Sequence, residues 1–150
     1  MLLLSVDPGK SSGWALWYGA TLVSADVQHL SAENAWRPNR VPIEIAIVIV
    51  PAALSVVIEV PQVYAASKSK GDPNDLIGVA VCVGAWATLF PFASVRLVKP
   101  RDWKGQVPKA IDHRRMLERL SPDERSRIRS NTADCFDAIS LGLWALGRKP

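Results

Sequence analysis

The order of segments along these 150 residues predicts one α/β domain spanning 1–150. Its sheet is mixed and five-stranded, three antiparallel strands followed by two parallel ones, with helices on both faces. Three observations carry that expectation. Strand-like runs at 2–6, 13–18 and 21–30 follow one another with only short turns between them. The segments after them alternate helix, strand, helix, strand, helix. The length suits about one hydrophobic core.

The run 2–6 reads as a buried central strand closed by the turn Asp7-Pro8-Gly9. Residues 13–18 and 21–30 form a hairpin or meander around Gly19-Ala20. A helix is expected over 39–54, with Pro42 in its first turn and Pro51 bending or ending it. Val56-Val57-Ile58-Glu59-Val60 is a second buried strand, and 65–74 is a Ser/Lys/Gly/Pro loop. An apolar helix rich in small residues follows over 75–89, then a strand over 95–98 and a charged amphipathic helix over 107–120. The last helix runs over 131–146, capped by Ser130, Asn131 or Thr132. Trp14 and Trp17, three apart in a strand, point to opposite faces.

Composition excludes several classes. The hydrophobic share of 49% against 21% charged residues rules out a disordered tail. Mean hydropathy is +0.11, but the greasiest stretch, from Glu44 to Glu59, is broken by Pro51 and falls short of the roughly 20 residues a membrane span needs. The opening residues have no basic region and meet Asp7 early, so no export signal is read. Cys82 and Cys135 lie in apolar runs without zinc-type spacing, which fits core residues of a cytoplasmic protein. Between Arg96 and Arg129, eleven basic against five acidic residues leave that segment at +6, whereas the whole chain is +4. A polyanion such as nucleic acid is the natural partner; a solvated, salt-bridged helical face explains the same charges equally well.

Four carboxylates occupy places where charge is expensive. Asp7 ends an apolar strand, Glu59 sits inside another, and Asp134 and Asp137 interrupt an apolar helix one turn apart, on one face. Brought together, such oxygens suit Mg²⁺ or Mn²⁺, and two ions would serve in-line phosphodiester hydrolysis. Singly, each acid has an ordinary structural explanation; jointly they point to a metal site. His29 reads as an edge or turn residue. His113, within Asp112-His113-Arg114-Arg115, reads as helix surface or a phosphate contact, with Arg114 and Arg115 as DNA contacts. Trp103, flanked by charge, either stacks on nucleic acid or anchors its loop.

The opening Leu3-Leu4-Ser5-Val6-Asp7-Pro8-Gly9-Lys10-Ser11-Ser12-Gly13-Trp14 resembles that of RuvC-type Holliday junction resolvases, a branch of the RNase H-like superfamily. Val57-Ile58-Glu59 with a basic loop and an alanine/glycine-rich helix is similar to the family's second acidic motif. Thr132-Ala133-Asp134-Cys135-Phe136-Asp137-Ala138 resembles its C-terminal Asp-x-x-Asp helix. The motifs stand in the family's order across nearly the whole chain. The resemblance implies an RNase H-like fold and a Mg²⁺- or Mn²⁺-dependent endonuclease, two ions per site, acting on branched DNA. Asp7, Glu59, Asp134 and Asp137 would be its metal-binding, catalytic acids. It implies phosphate contacts from Lys99 and Lys109, with Lys104 a third candidate, and from Lys68 and Lys70 in the loop. Tyr64 is the one aromatic placed to unstack bases there, though packing at the core edge suits it better. It also implies a homodimer through the 75–89 helix. A nuclease acting on RNA shares the same acids, and a non-catalytic junction binder would share the basic charge. An actin-like kinase needs two such domains, for which the chain is too short.

Overall fold

The computed structural model describes residues 1–29, 54–63 and 72–148. Strands β1 (Leu2–Asp7), β2 (Ser11–Tyr18), β3 (Thr21–His29), β4 (Leu54–Glu59) and β5 (Ser94–Val98) form one sheet in the order β3-β2-β1-β4-β5. β1 pairs antiparallel with β2 and β2 with β3, whereas β4 runs parallel to both β1 and β5. This is the expected mixed sheet. Helices follow as α1 (Pro73–Thr88), α2 (Pro100–Trp103), α3 (Lys109–Arg119), α4 (Pro122–Ser126) and α5 (Ala133–Ala145).

Period-2 alternation divides the sheet's side chains between two cores. Leu4, Val6, Trp14, Leu16, Val56 and Ile58 pack on one face with Cys82, Val83 and Trp86 of α1. Leu3, Ala15, Trp17, Val57 and Val98 pack on the other with Met116 of α3 and Cys135, Ile139 and Leu143 of α5. Trp14 and Trp17 thus take opposite faces, as their spacing requires. Both cysteines are buried.

Local chemistry sets the boundaries. Ser12 Oγ donates to Gly9 O at 3.1 Å and accepts from Gly9 N at 3.2 Å, pinning the turn after Asp7 so that β2 begins at Ser11 rather than 13. Asp72 accepts from Asn74 N at 2.9 Å, and with Pro73 in the first turn starts α1 two residues before the expected 75. β4 begins at Leu54, which the sequence reading had assigned to a helix; the rest of that helix, over 39–53, lies outside the described residues, as do Tyr64, Lys68 and Lys70. Among the three candidates for the last helix, Thr132 is the cap, its Oγ1 accepting from Cys135 N at 3.4 Å.

Two short helices were not expected. α4 starts with a capping box: Ser121 Oγ accepts from Glu124 N at 3.2 Å, and Glu124 Oε2 accepts from Ser121 N at 2.9 Å. The signal, Ser121-Pro122-Asp123-Glu124, was present in the sequence. Beyond α4, Arg129 N donates to Ala25 O at 2.9 Å, covering the open edge of β3.

Helix α5 lies directly on β1 and β2. Ser5 Oγ donates to Ala138 O at 2.7 Å and accepts from Trp17 Nε1 at 3.1 Å. A Cβ on Gly13 would stand 1.9 Å from Asp134 O, and one on Gly142 would stand 2.2 Å from Trp17 Nε1. Neither position tolerates a side chain, so the two glycines let both ends of the helix touch the sheet.

Glu124 joins the far side of this layer. It is 4% exposed, accepts from Leu22 N at 2.9 Å and pairs with Arg148 Nη1 at 2.7 Å. Burial alone would raise its carboxyl pKa, but the bonds from Arg148, Leu22 and Ser121 outweigh it and hold the value down to about 2. A depressed carboxyl stabilises the fold above its unfolded pKa, and that contribution drains away as pH falls toward 2. Glu124→Gln should therefore cost about 3 kcal/mol at pH 7 and much less at pH 3, read by urea unfolding. Gly13→Ala should push the start of α5 off β2 and lower stability by about 2–3 kcal/mol. Thermal unfolding checks this, and a native midpoint would contradict the contact.

Candidate active site

Asp7 and Glu59 stand at the C-terminal ends of the adjacent parallel strands β1 and β4, so the sheet itself places them side by side. Across that end runs the first half of α5, which brings Asp137, buried, and Asp134, half-buried, over the strand ends. Glu59, Asp137 and Asp134 all act electrostatically on Asp7. The four acids singled out in the sequence, 130 positions apart at their extremes, therefore share one neighbourhood.

The charge balance is uneven. Burial, then the charges of Glu59 and Asp137, push the Asp7 carboxyl up to about 8, with Lys104 only partly opposing them. Burial also raises Glu59, against the pull of Lys104 and the hydrogen bond from Trp103. Asp137 is different. Burial would raise it too, but hydrogen bonds from Lys109 and His113 and the charge of Lys104 hold it below the usual carboxylate range. Lys104 loses from burial and gains more from Glu59, Asp137 and Asp7, so its ammonium is held above the ordinary lysine value.

Cations and a tryptophan surround the acids. Lys109 Nζ lies 2.7 Å from Asp137 Oδ2, and Lys104 Nζ lies 3.2 Å from the same atom and 3.9 Å from Glu59 Oε2. Trp103 Nε1 donates to Glu59 Oε2 at 2.8 Å, which anchors the indole by its ring edge. Lys104 caps the C-terminal end of α2 and Lys109 opens α3. The short helix missed in the sequence is thus what turns Trp103 and Lys104 toward Glu59.

His113 corrects the sequence reading. It is turned inward, with Nε2 2.8 Å from Asp137 Oδ1 and its ring edge-on to Phe136 at 5.3 Å between centroids. Ligand-type atoms of Asp112, His113 and Asp137 lie within 4.8 Å of one another. The signal was the spacing in α3: Lys109 and His113 are four apart, so both share the face that meets α5. The other basic candidates are not gathered here. Lys99, exposed, serves as the N-terminal cap residue of α2, and Arg114 is exposed and pairs with Glu118 at 3.9 Å. Arg115 is exposed on α3. His29 ends the edge strand β3, as expected.

A donor set of carboxylate oxygens, one of them kept protonated at neutral pH by burial and by its acidic neighbours, fits a hard divalent cation such as Mg²⁺ or Mn²⁺. The ammonium of Lys104, poised between Glu59 and Asp137, marks where positive charge is favoured.

The sheet order, with acids at the ends of β1 and β4 and an acidic helix across them, defines an RNase H-like fold. Within that class the fold is similar to that of RuvC. No protein-family model and no curated protein sequence matches it. Among solved structures it is similar to RuvC of Thermus thermophilus, at 18% identity and a TM-score of 0.63, covering 99% of this chain and 95% of that one. It is likewise similar to T. thermophilus RuvC in complex with a Holliday junction substrate, at 17% identity and a TM-score of 0.60, covering 99% of this chain and 94% of that one.

For Asp7 the sign of the pH effect is opposite to that of Glu124. A carboxyl raised to about 8 favours the fold below its unfolded pKa and burdens it progressively as pH rises to 8. Asp7→Asn should thus stabilise the metal-free protein by about 2 kcal/mol at pH 8, and by little at pH 4. Chemical unfolding in the presence of chelator measures both; an equal effect at the two pH values would refute the shared charge.

Proposed function

We propose that this chain is a divalent-metal-dependent endonuclease that resolves Holliday junctions and other branched DNA, leaving 5′-phosphate and 3′-hydroxyl ends. The observation that carries the reading is the gathering of Asp7, Glu59, Asp137 and Asp134 at one end of the sheet, where the other three acids act electrostatically on Asp7. The RuvC-like fold supports it, one similar structure being a RuvC–junction complex.

In this reading Asp7, Glu59, Asp134 and Asp137 hold Mg²⁺ or Mn²⁺, two ions per site. Bound there, such ions supply an activated water and neutralise the charge that builds on the attacked phosphate and the leaving oxygen. The remaining roles belong to the chain. Trp103 fixes the Glu59 carboxylate by its 2.8 Å bond, and His113 fixes one oxygen of Asp137. Lys104 and Lys109, which neutralise Asp137 in the absence of DNA, are placed to exchange that carboxylate for the strand's phosphates. Lys99, Arg114 and Arg115 extend a basic surface for the flanking backbone, and Lys68, Lys70 and Tyr64, which follow the second acid in the sequence, would add contacts to phosphates and bases.

A four-way junction has two-fold symmetry, and opposing nicks need two active sites in register. The exposed Ile77 and Val81 on α1 offer the apolar contact for a homodimer. Among the described residues no helix is long and apolar enough to cross a membrane, and the proposed setting is the cytoplasm.

Asp7→Asn should retain junction binding while Mg²⁺-dependent cleavage falls at least about 100-fold. Gel assays on a four-way junction, a plain duplex and an RNA–DNA hybrid, with Mg²⁺ and with chelator, check both metal and substrate. Preferential cutting of the hybrid would transfer the same chemistry to RNA, and undiminished cutting by Asp7→Asn would remove the mechanism.

A further inference from the structure

Beside the acidic site, on the face of the sheet carrying α3 and α5, lies a cavity of about 260 Å³. Trp103, Asp112, Arg115, Arg119, Ser140 and Trp144 line it. Lys104, whose ammonium touches Asp137, lines it as well, so the cavity and the carboxylates share a wall.

Three lining residues carry buried polar atoms without a hydrogen-bond partner among the described residues: Ser140 Oγ, Asp112 Oδ2 and Arg119 Nε. Ser140 is 4% exposed, in the middle of a buried helix face. Buried polar groups are almost always satisfied, so three orphans around one hollow point to an occupant that completes them. The rest of the lining says what kind. Two indoles line it, each with a cation over one ring face: the guanidinium of Arg96 lies 4.8 Å from the Trp144 centroid and the ammonium of Lys104 4.9 Å from the Trp103 centroid. Arg148 is already committed to Glu124, whereas Arg115 and Arg119 form no ion pair among the described residues. Flat aromatic walls, two available guanidiniums, one acceptor and one hydroxyl suit a planar heterocycle that carries an amino group and a phosphate.

We propose that this cavity binds a single unstacked nucleotide. Its base lies against Trp103 and Trp144, its amino-bearing edge meets Asp112 and Ser140, and its phosphate meets Arg115 and Arg119. A carboxylate acceptor favours bases whose edge carries an exocyclic amine, which adenine, cytosine and guanine have, over thymine, whose one edge donor, N3–H, lies between two carbonyl oxygens that a carboxylate repels. The source is a free mononucleotide or a base extruded from the strand held at the neighbouring carboxylates. Only the second source rests on the nuclease reading.

Intrinsic tryptophan fluorescence of the full chain in chelator tests both sources without any cleavage. One arm titrates dAMP, dCMP, dGMP and dTMP. The other titrates short oligothymidylates with and without one central deoxyadenosine, deoxycytidine or deoxyguanosine. Saturable quenching is expected for at least one amine-bearing base, about tenfold tighter than for thymine in the same arm. Ser140→Ala and Arg119→Gln should each weaken it about tenfold, and Asp112→Asn should erase the preference over thymine, with circular dichroism confirming that each variant is folded. Binding in the first arm identifies a free nucleotide, and binding in the second alone identifies a strand. Equal binding of thymine in both arms, no binding in either, or folded variants that bind like the parent overturns the proposal. Because no cutting is measured, a failed cleavage assay would leave this result standing.

Discussion

The close seating of α5 on β1 and β2 is the contact on which the site depends. A helix carrying two acids can reach acids at strand ends only if its backbone approaches the sheet more closely than side chains normally allow. Gly13 removes the obstruction under Asp134, and Gly142 removes it against Trp17 and Ser5. The Ser5 hydroxyl, bonded to Ala138 O and to the Trp17 indole, then fixes the helix along its axis. Displacing the helix would carry Asp134 and Asp137 away from Asp7 and weaken their electrostatic coupling.

That seating carries a cost in charge. Like carboxylates in a poorly solvated corner repel, and Asp7, placed among the other three, keeps its proton to about 8. Lys104, Lys109 and His113 relieve Asp137, so the burden remains mainly on the strand-end acids. The arrangement holds a deficit of positive charge where the two strands end, which a divalent cation would fill. Glu124 shows the contrasting use of a buried acid: bonded by Arg148 and two backbone amides, it strengthens the fold.

Much of this was legible because it is written in local pattern. An apolar strand stopped by Asp7-Pro8-Gly9, a carboxylate inside 56–60 and two acids a turn apart in an apolar helix each violate the usual burial preference, and that conflict marks them as candidates for one site. The Trp14/Trp17 split followed from strand periodicity alone. The short helices α2 and α4 were missed, although both carry start signals, because four or five residues give no periodicity to read. His113 was misplaced for a related reason. Its neighbours Arg114 and Arg115 made the segment look solvent-facing, while the helix turns residues 109 and 113 to the opposite side.

The sequence by itself determined which acidic side chains are the candidates for a metal site and which elements bear them, since alternation, turn residues and misplaced charges are properties of neighbours along the chain. Only the tertiary structure decided which cations answer those acids, that Lys104 reaches them while Lys99 does not, and that a cavity with unsatisfied polar atoms opens beside them. Distances between residues far apart in the chain are set by how closely helices pack on the sheet, and that is fixed by steric fit summed over the whole core.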